Sequence, residues 1–529
     1  MTRSTIFYLM LVAFTLMGQQ FAVDAQPLTS RQIDSLVSKS FENMPTAGIA
    51  VAVVKDGKVI HSKGYGVATL KGKEKVDENT LFAIASNSKS FTTAALAILV
   101  DEGKVSWTDK VVDYIPEFKM YDPYITANFN IQDLLTHRSG LGLGAGDLMF
   151  FPDGSDFTVK DVLKSFQYQK PVSAFRTKFD YDNLLYVVAG EVVARASGMS
   201  WSDFVEKRIM KPLGMNRSVG VYQNLADKKN TAAPHSVVKG ELKQLEPYTK
   251  SDGSLGAAGG IYSSVSDLSK WLLMHLNDAK YGDKLQSQLI TPANHKEMLR
   301  PHTFLGFTVK PDPRSKRHLN AYGLGWGIED QLGAIVISHT GGLPGMLSRT
   351  AMVPELNLGV VVLTNTDPGG YAFQTISGAI LDSYLGKPAM DWISRAKKNI
   401  QESENEGDSV TTAVWNTVKA ASSSHLKPEN FIGTYRDKWF GDVKIALRDG
   451  QLWFSAVRSP KLNGKMSFYK SNTFAIKWDY QDMPCDAFAS FALDEEGKAT
   501  GIKMRGISPN IDFSFDFQDL DLQRVVNKH

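Results

Sequence analysis

Cysteine is nearly absent from this chain of 529 residues, which contains only Cys485. A single cysteine excludes an intrachain disulfide and every metal site built on paired cysteines. The ten histidines include no His-Glu-x-x-His motif, so a zinc hydrolase site of that kind has no support. We therefore predict a protein that uses no metal and no cofactor.

An excess of charge of one sign is also missing. The net charge is +3 and no long run of like charges occurs, so no nucleic-acid or anionic-membrane surface is predicted. The apolar run Ile6–Met17 is too short to span a bilayer comfortably. With Arg3 before it and small residues in Val23-Asp-Ala25, this run indicates a signal peptide over residues 1–25, cleaved before Gln26.

Export without disulfides suits a bacterial periplasm, so we expect a periplasmic or secreted protein with no stable membrane span after cleavage. The rest of the composition is that of an ordinary globular protein, with 43% hydrophobic and 22% charged residues. Asp56-Gly57 between two β-rich runs predicts an antiparallel hairpin. A mostly helical stretch follows over 158–210, and a second β block runs from Tyr322 to Asn365.

The composition changes beyond residue 390. Residues 391–428 are highly charged and then small and polar, which predicts a linker with some helix. Residues 429–529 contain evenly spaced alternating runs with an Asp449-Gly450 turn, a pattern that favours a small antiparallel barrel or sandwich. Its aromatic residues are interpreted as core.

The stretch around Ser86-x-x-Lys89 joins a short apolar run to a long helical one. Residues three apart share a helix face, so the lysine and the serine hydroxyl would be neighbours. A lysine can activate a serine only if burial or nearby charge lowers its pKa. Taken alone the pair is weak evidence, because Ser86 could be an N-cap and Lys89 a solvated helix residue.

Two further motifs occur later in the chain. Tyr181-x-Asn183 lies within the helical stretch, and His339-Thr-Gly-Gly342 lies in the second β block. Each is weak alone, but their order between two β blocks makes the set informative. His137 precedes a Ser-Gly turn, and we interpret it as a core or capping residue and not as a catalyst.

In this order the motifs resemble those of the serine β-lactamase and penicillin-binding superfamily. The chain is most similar to the class C and D-alanyl-D-alanine carboxypeptidase branch, peptidase family S12, in which Tyr-x-Asn replaces Ser-Asp-Asn. The resemblance implies an α+β domain over 26–390, with an antiparallel sheet flanked by helices and an all-helical insert. The segment 429–529 is similar to the lipocalin-like barrel found in many such hydrolases.

The resemblance also implies roles for the matching residues. Ser86 would be the acylated nucleophile, Lys89 its base and Tyr181 a proton relay to the leaving group. Asn183 would hold the acyl amide, and the N–H groups of Ser86 and Gly342 would form the oxyanion hole. The further residues expected in the site belong to the third motif, namely His339, Thr340 and Gly341.

Two departures from the family pattern affect the substrate. His339 stands where β-lactamases carry a lysine, and a neutral histidine attracts a substrate carboxylate less than an ammonium does. Asp182 adds a negative charge that would favour amino-bearing substrates if it faced the site. A small molecule or short peptide cleaved at a peptide, amide or ester bond is therefore the expected substrate.

Three alternatives stay open: a slow-acylating penicillin-binding sensor, a non-catalytic scaffold and a true β-lactamase. No Gly-x-Ser-x-Gly motif supports an α/β-hydrolase. The barrel could be a lid, a substrate-size filter or an oligomer contact.

Overall fold

The computed structural model describes residues 26–238, 240–248, 255–367, 370–421 and 427–526. The expected signal peptide, 1–25, lies outside the described residues. Among the described helices, none has both the length and the apolar character needed to cross a membrane.

The first domain is built on one antiparallel sheet of eight strands. Their order across the sheet is β2-β1-β8-β7-β6-β5-β4-β3. The strands are β1 (Gly48–Lys55), β2 (Lys58–Gly66), β3 (Thr303–Phe307), β4 (Leu319–Tyr322), β5 (Gly327–Gln331), β6 (Ala334–Leu343), β7 (Met346–Val353) and β8 (Leu358–Thr364). The predicted Asp56-Gly57 hairpin joins β1 to β2, and β8 returns to pair with β1.

Both faces of the sheet are covered because side chains alternate along each strand. Ile49, Val51 and Val53 on β1 point into one apolar cluster, and Ala50 and Val54 point into another. Helices lie on both faces, as expected for a strand buried throughout its length.

The longer helices are α1 (Ser30–Asn43), α2 (Ser88–Asp101), α3 (Leu184–Ser197), α4 (Val265–Leu276), α5 (Gly370–Tyr384) and α6 (Trp392–Ala420). α1 and α5 cover one face of the sheet, and α2 and α4 contribute to the core on the other. The helical insert also contains short helices at Val111–Tyr114, Pro123–Asn128, Ile131–Leu135, Val159–Ser165 and Trp201–Val205. Two more, Gly256–Gly259 and Pro292–Met298, follow the insert.

The second domain is a closed antiparallel barrel of eight strands. They are β9 (Gly433–Asp437), β10 (Gly441–Arg448), β11 (Gln451–Ala456), β12 (Asn463–Lys470), β13 (Thr473–Trp478), β14 (Ala487–Leu493), β15 (Ala499–Gly506) and β16 (Leu522–Arg524). A closed barrel leaves no free sheet edge. Both parts of the predicted fold class, the α+β domain and the barrel, are confirmed.

Candidate active site

Ser86 occupies a turn between a short strand and a helix. Phe82–Ala83 pairs with Tyr262–Ser263, the chain turns tightly over Ala85–Asn87, and α2 begins at Ser88. Ser86 is the only residue from 81 to 99 that is not buried. The preceding Ala85 has a positive φ of 48°, a strained conformation of the kind that clusters at functional sites. The turn thus presents one hydroxyl through an otherwise closed surface.

Lys89 lies directly beneath Ser86 and has no solvent exposure. Its Nζ is 3.0 Å from Ser86 Oγ, 2.7 Å from Asn183 Oδ1 and 2.8 Å from the carbonyl oxygen of Ala258. Burial lowers the lysine pKa to about 7, although nearby Asp147 and Asp182 act in the opposite direction. A buried amine with this pKa has the property that a base for the serine needs.

Asn183 holds the lysine from the start of α3. Its Oδ1 accepts from Lys89, and its Nδ2 donates to Asp147 Oδ2 at 2.8 Å. Asp147 is fully buried, and burial raises its pKa well above the usual range. Asp147 could not be predicted as a site residue, because nothing in its local sequence pattern marks it.

Tyr181 lines the same cavity as Ser86 and lies beside Lys89. The Lys89 ammonium stands 4.8 Å from the centre of the Tyr181 ring. Burial raises the pKa of Tyr181 well above 10, and the nearby Ser86 hydroxyl opposes that rise. Tyr181 is therefore a neutral phenol near pH 7, able to pass a proton but unsuited to take one as a base.

His339 lines the same cavity, and both of its ring nitrogens are occupied by protein partners. Nδ1 lies 2.5 Å from the Thr340 carbonyl oxygen and so carries a hydrogen, which leaves Nε2 to accept from the Tyr322 hydroxyl at 2.9 Å. Burial lowers the pKa of His339 to about 4, and the positive charge of Lys89 adds to the effect. The ring is uncharged at neutral pH.

The glycines after His339 lie beside the nucleophile. Thr340 and Gly342 line the cavity together with Ser86, whereas Gly341 is buried. A Cβ on Gly341 would lie 3.0 Å from the Ser86 backbone nitrogen and 2.5 Å from Ser348 Oγ. Only a residue without a side chain allows β6 to approach the Ser86 turn this closely.

These groups surround one cavity of about 360 Å³, a volume suited to a small ligand. Its walls include residues that sequence reasoning missed, namely Phe151, Asp367, Met483, Asp512, Phe513 and Ser514. The last four come from the barrel domain. Burial and the charge of Asp512 raise the pKa of Asp367 to about 6.

Two other residues considered in the sequence, Asp182 and His137, lie in the protein core. Asp182 does not face the cavity: it is fully buried, and its Oδ1 accepts from the Leu185 backbone N–H at 3.2 Å near the start of α3. Asp182 was expected to add charge at the site only if it faced the cavity, and that condition is not met. His137 is buried, accepts from the Asp182 N–H at 3.0 Å and stacks 4.2 Å from the Tyr181 ring, as its interpretation as a core residue expected.

Two family models match this chain. Residues 33–382 match the family model described as Beta-lactamase, and residues 417–524 match a domain of unknown function, DUF3471. The chain is 29% identical over 391 residues to the unguisins hydrolase ungD of Aspergillus violaceofuscus, a match covering 71% of this chain and 68% of that protein.

Solved structures share the fold. The octameric penicillin-binding protein homologue from Pyrococcus abyssi superposes with a TM-score of 0.59 at 20% identity, covering 94% of this chain and 100% of that one. The D-amino acid amidase from Ochrobactrum anthropi SV3 gives a TM-score of 0.54 at 21% identity, covering 70% of this chain and 98% of that one. With the family model spanning well over half its length, the chain belongs to the Beta-lactamase family, whose members here include hydrolases.

Proposed function

We propose that this protein is a serine hydrolase that forms an acyl-enzyme on Ser86 and cleaves small peptide, amide or ester bonds. The observation that supports this function best is the buried Lys89, whose pKa is lowered to about 7 and whose Nζ lies 3.0 Å from Ser86 Oγ. A lysine with a purely structural role has no need of a lowered pKa beside a serine that lines a cavity.

Acylation follows from the positions of these groups. The neutral Lys89 amine takes the Ser86 proton as Oγ attacks the substrate carbonyl, and the carbonyl electrons move to oxygen. The N–H groups of Ser86 and Gly342 stabilise that oxyanion, an effect typically worth about 10²–10³ in rate for each donor. The proton then passes through the Tyr181 hydroxyl to the leaving group, and the carbonyl re-forms as the scissile bond breaks.

Deacylation reverses the roles with water as the nucleophile. Water attacks the acyl carbonyl while one of its protons passes through Tyr181 to Lys89. Lys89 then gives that proton to Ser86 Oγ as the acid departs. Asn183 keeps the lysine in place throughout, and one Nδ2 hydrogen beyond its bond to Asp147 is left for a substrate carbonyl.

Charge in the cavity favours one class of substrate. The described lining residues include no lysine or arginine, His339 is neutral, and Asp367 and Asp512 are both present. An anionic substrate such as a β-lactam would meet no fixed positive charge there. We therefore infer that neutral substrates and those bearing an amine are preferred to carboxylate-bearing ones.

A fluorophosphonate probe tests the mechanism on the mature protein, with intact mass as the readout. We expect one adduct on the wild type and none on Ser86→Ala or Lys89→Ala, while Ser90→Ala, a buried serine one turn into the helix, keeps it. Labelling that survives in Ser86→Ala would reject the proposal.

Substrate screening then separates hydrolase from sensor. We expect turnover of D- or L-aminoacyl amides with a free amine, slower turnover of their N-acetyl forms, and little hydrolysis of a chromogenic cephalosporin. Replacement of Asp512 by Asn should narrow the difference between free and acetylated amides. A stable acyl adduct with no product release would instead identify a slow-acylating sensor.

A further inference from the structure

A loop of the barrel domain reaches into the hydrolase domain beside the catalytic groups. This insertion loop, residues 512–519 between β15 and β16, lies against the segment 144–148 of the hydrolase domain. A Cβ on Gly144 would lie 2.7 Å from the Phe513 carbonyl oxygen. The edge of the Phe513 ring faces the Tyr181 ring at 5.9 Å. The two domains are therefore in tight contact at this point.

Asp516 makes the strongest of these contacts. Its side chain has no solvent exposure, and its two carboxylate oxygens accept the backbone N–H groups of Gly146 at 2.7 Å and Leu148 at 2.8 Å. These two residues flank Asp147 directly in the chain. One carboxylate of the barrel thus binds the backbone on both sides of Asp147.

From that point a continuous series of hydrogen bonds leads to the nucleophile. Asp147 accepts from Asn183, Asn183 accepts from Lys89, and Lys89 reaches Ser86, with distances of 2.8, 2.7 and 3.0 Å. The same segment also holds the third catalytic group, since the Gly144 N–H donates to the Tyr181 carbonyl oxygen at 2.8 Å. Segment 144–148 therefore supports both residues of the Tyr181-x-Asn183 motif.

We propose that Asp516 is a positioning residue for hydrolysis, through which the barrel domain fixes the segment that orients Asn183, Lys89 and Tyr181. The proposal rests on the proposed function of Ser86 and Lys89. It gives the barrel a part in the chemistry beyond that of a lid or a size filter.

That residue 516 is an aspartate supports a role in positioning the segment 144–148 and not merely in holding the two domains together. Burial raises the Asp516 pKa well above its usual range, the neighbouring Asp519 and Asp147 raise it further, and the hydrogen bonds from the Gly146 and Leu148 N–H groups oppose that rise by favouring the carboxylate. No described lysine, arginine or histidine is among the groups that shift the Asp516 pKa. A contact that served only adhesion would be more stable with an apolar or neutral residue. A carboxylate with two acceptors is the group that can hold two N–H donors at a fixed spacing.

The test uses the full mature chain with Asp516→Ala and Asp516→Asn. The rate of Ser86 labelling by the fluorophosphonate is measured from pH 5.5 to 9, alongside Tm. We expect Ser86 in Asp516→Ala to be labelled about 10–100 times more slowly. The pH at which the labelling rate levels off should also shift, because the environment that sets the Lys89 pKa is altered. Asp516→Asn should be intermediate, since its single carbonyl oxygen keeps one of the two bonds.

The matched control is Asp521→Asn, the same change at an exposed residue whose side chain accepts hydrogen bonds from Lys503 and Gln523 of the barrel. It should keep the wild-type rate and pH profile. A folded Asp516→Ala protein with wild-type labelling at every pH would overturn the proposal. If the wild type itself is not labelled at Ser86, the proposed function has failed instead.

Should the Asp516 variants not fold, Ser514→Ala decides the question. Ser514 belongs to the same loop, is almost fully buried, and its hydroxyl lowers the pKa of Asp147. Removing one hydroxyl should leave Tm close to wild type while slowing labelling several-fold and moving its pH dependence. Labelling of Ser514→Ala that matches the wild type in rate and pH dependence would overturn the proposal.

Discussion

At the scale of single residues, the site depends on Lys89 remaining partly neutral. Its three neighbours at hydrogen-bond distance can accept all three protons of an ammonium. When the amine loses a proton, its lone pair can face Ser86 Oγ while two N–H groups still reach Asn183 and Ala258. The geometry therefore accommodates both protonation states without movement.

This balance predicts the pH dependence of acylation. In the proposed mechanism only neutral Lys89 accepts the serine proton, and its pKa is about 7, so the labelling rate should rise with pH up to about 7 and then level off. Each pH unit below 7 should cost about tenfold. His339, with its pKa near 4, is neutral across this range and should add no second inflection.

Stopped-flow or quenched labelling from pH 5 to 9 measures this profile. Circular dichroism at each pH separates loss of activity from loss of fold. A rate independent of pH over that range would contradict a lysine base with a pKa near 7.

The residues that the sequence could predict are those close together along the chain. Ser86 and Lys89 lie one helical turn apart, so their proximity follows from helix geometry. Asp147 and Asp516 reach the site from segments that are far apart in sequence, and no local period indicates such a meeting. The orientation of Asp182 could not be predicted, because composition does not tell which way a loop side chain turns.

At the scale of elements, patterns of period two and turn chemistry were reliable. The Asp56-Gly57 turn between two β-rich runs predicted the β1–β2 hairpin correctly. Residues 391–428 were predicted as a linker with some helix, and most of this stretch is the single helix α6. The many charged residues of α6 obscured a narrow apolar stripe in the sequence pattern. In this stripe Val414 packs on Ala475 and Phe488 of the barrel.

The approach of β6 to the Ser86 turn predicts that Gly341 tolerates no side chain. In Gly341→Ala the new methyl group would collide with the carbonyl of Ile84 and crowd the Ser86 nitrogen. We expect a loss of about 1–3 kcal/mol in the free energy of unfolding and labelling of Ser86 slowed by about 100-fold or more.

Gly306→Ala is the matched control, because Gly306 lies in β3 of the same sheet and an added Cβ would meet nothing within 4 Å. Urea unfolding and probe labelling on both variants check the prediction. Equal labelling of the Gly341 and Gly306 variants would show that this close approach is not needed.

At the scale of the whole molecule, composition divided the chain into a hydrolase part and a barrel but could not predict how the two dock. Docking depends on pairs such as Arg458 with Asp156 and Asp161, which lie some 300 residues apart. The Arg458 guanidinium also stands 4.1 Å from the centre of the Phe157 ring. Such pairs are invisible to any pattern read within a local window.

Arg458 should therefore matter to catalysis although it lies outside the cavity. Its hydrogen bond and charge hold the pKa of Asp161 well below the usual range, so this carboxylate stays ionised, and the pair intact, from pH 5 to 9. Arg458→Ala removes a bidentate contact that is only partly exposed, worth about 1 kcal/mol of docking. A loosened barrel would withdraw Asp516 from the Gly146 and Leu148 N–H groups.

Hydrogen exchange of peptides covering 144–148 measures that withdrawal directly. In Arg458→Ala these amides should exchange faster and Ser86 labelling should slow, while exchange within β1 and β8 stays unchanged. Arg505→Ala removes an exposed guanidinium that lies over the Phe488 ring of the same barrel domain. It should change neither the exchange at 144–148 nor the labelling of Ser86. Faster exchange at 144–148 without slower labelling would separate domain docking from catalysis, and the barrel would then have no part in aligning Lys89.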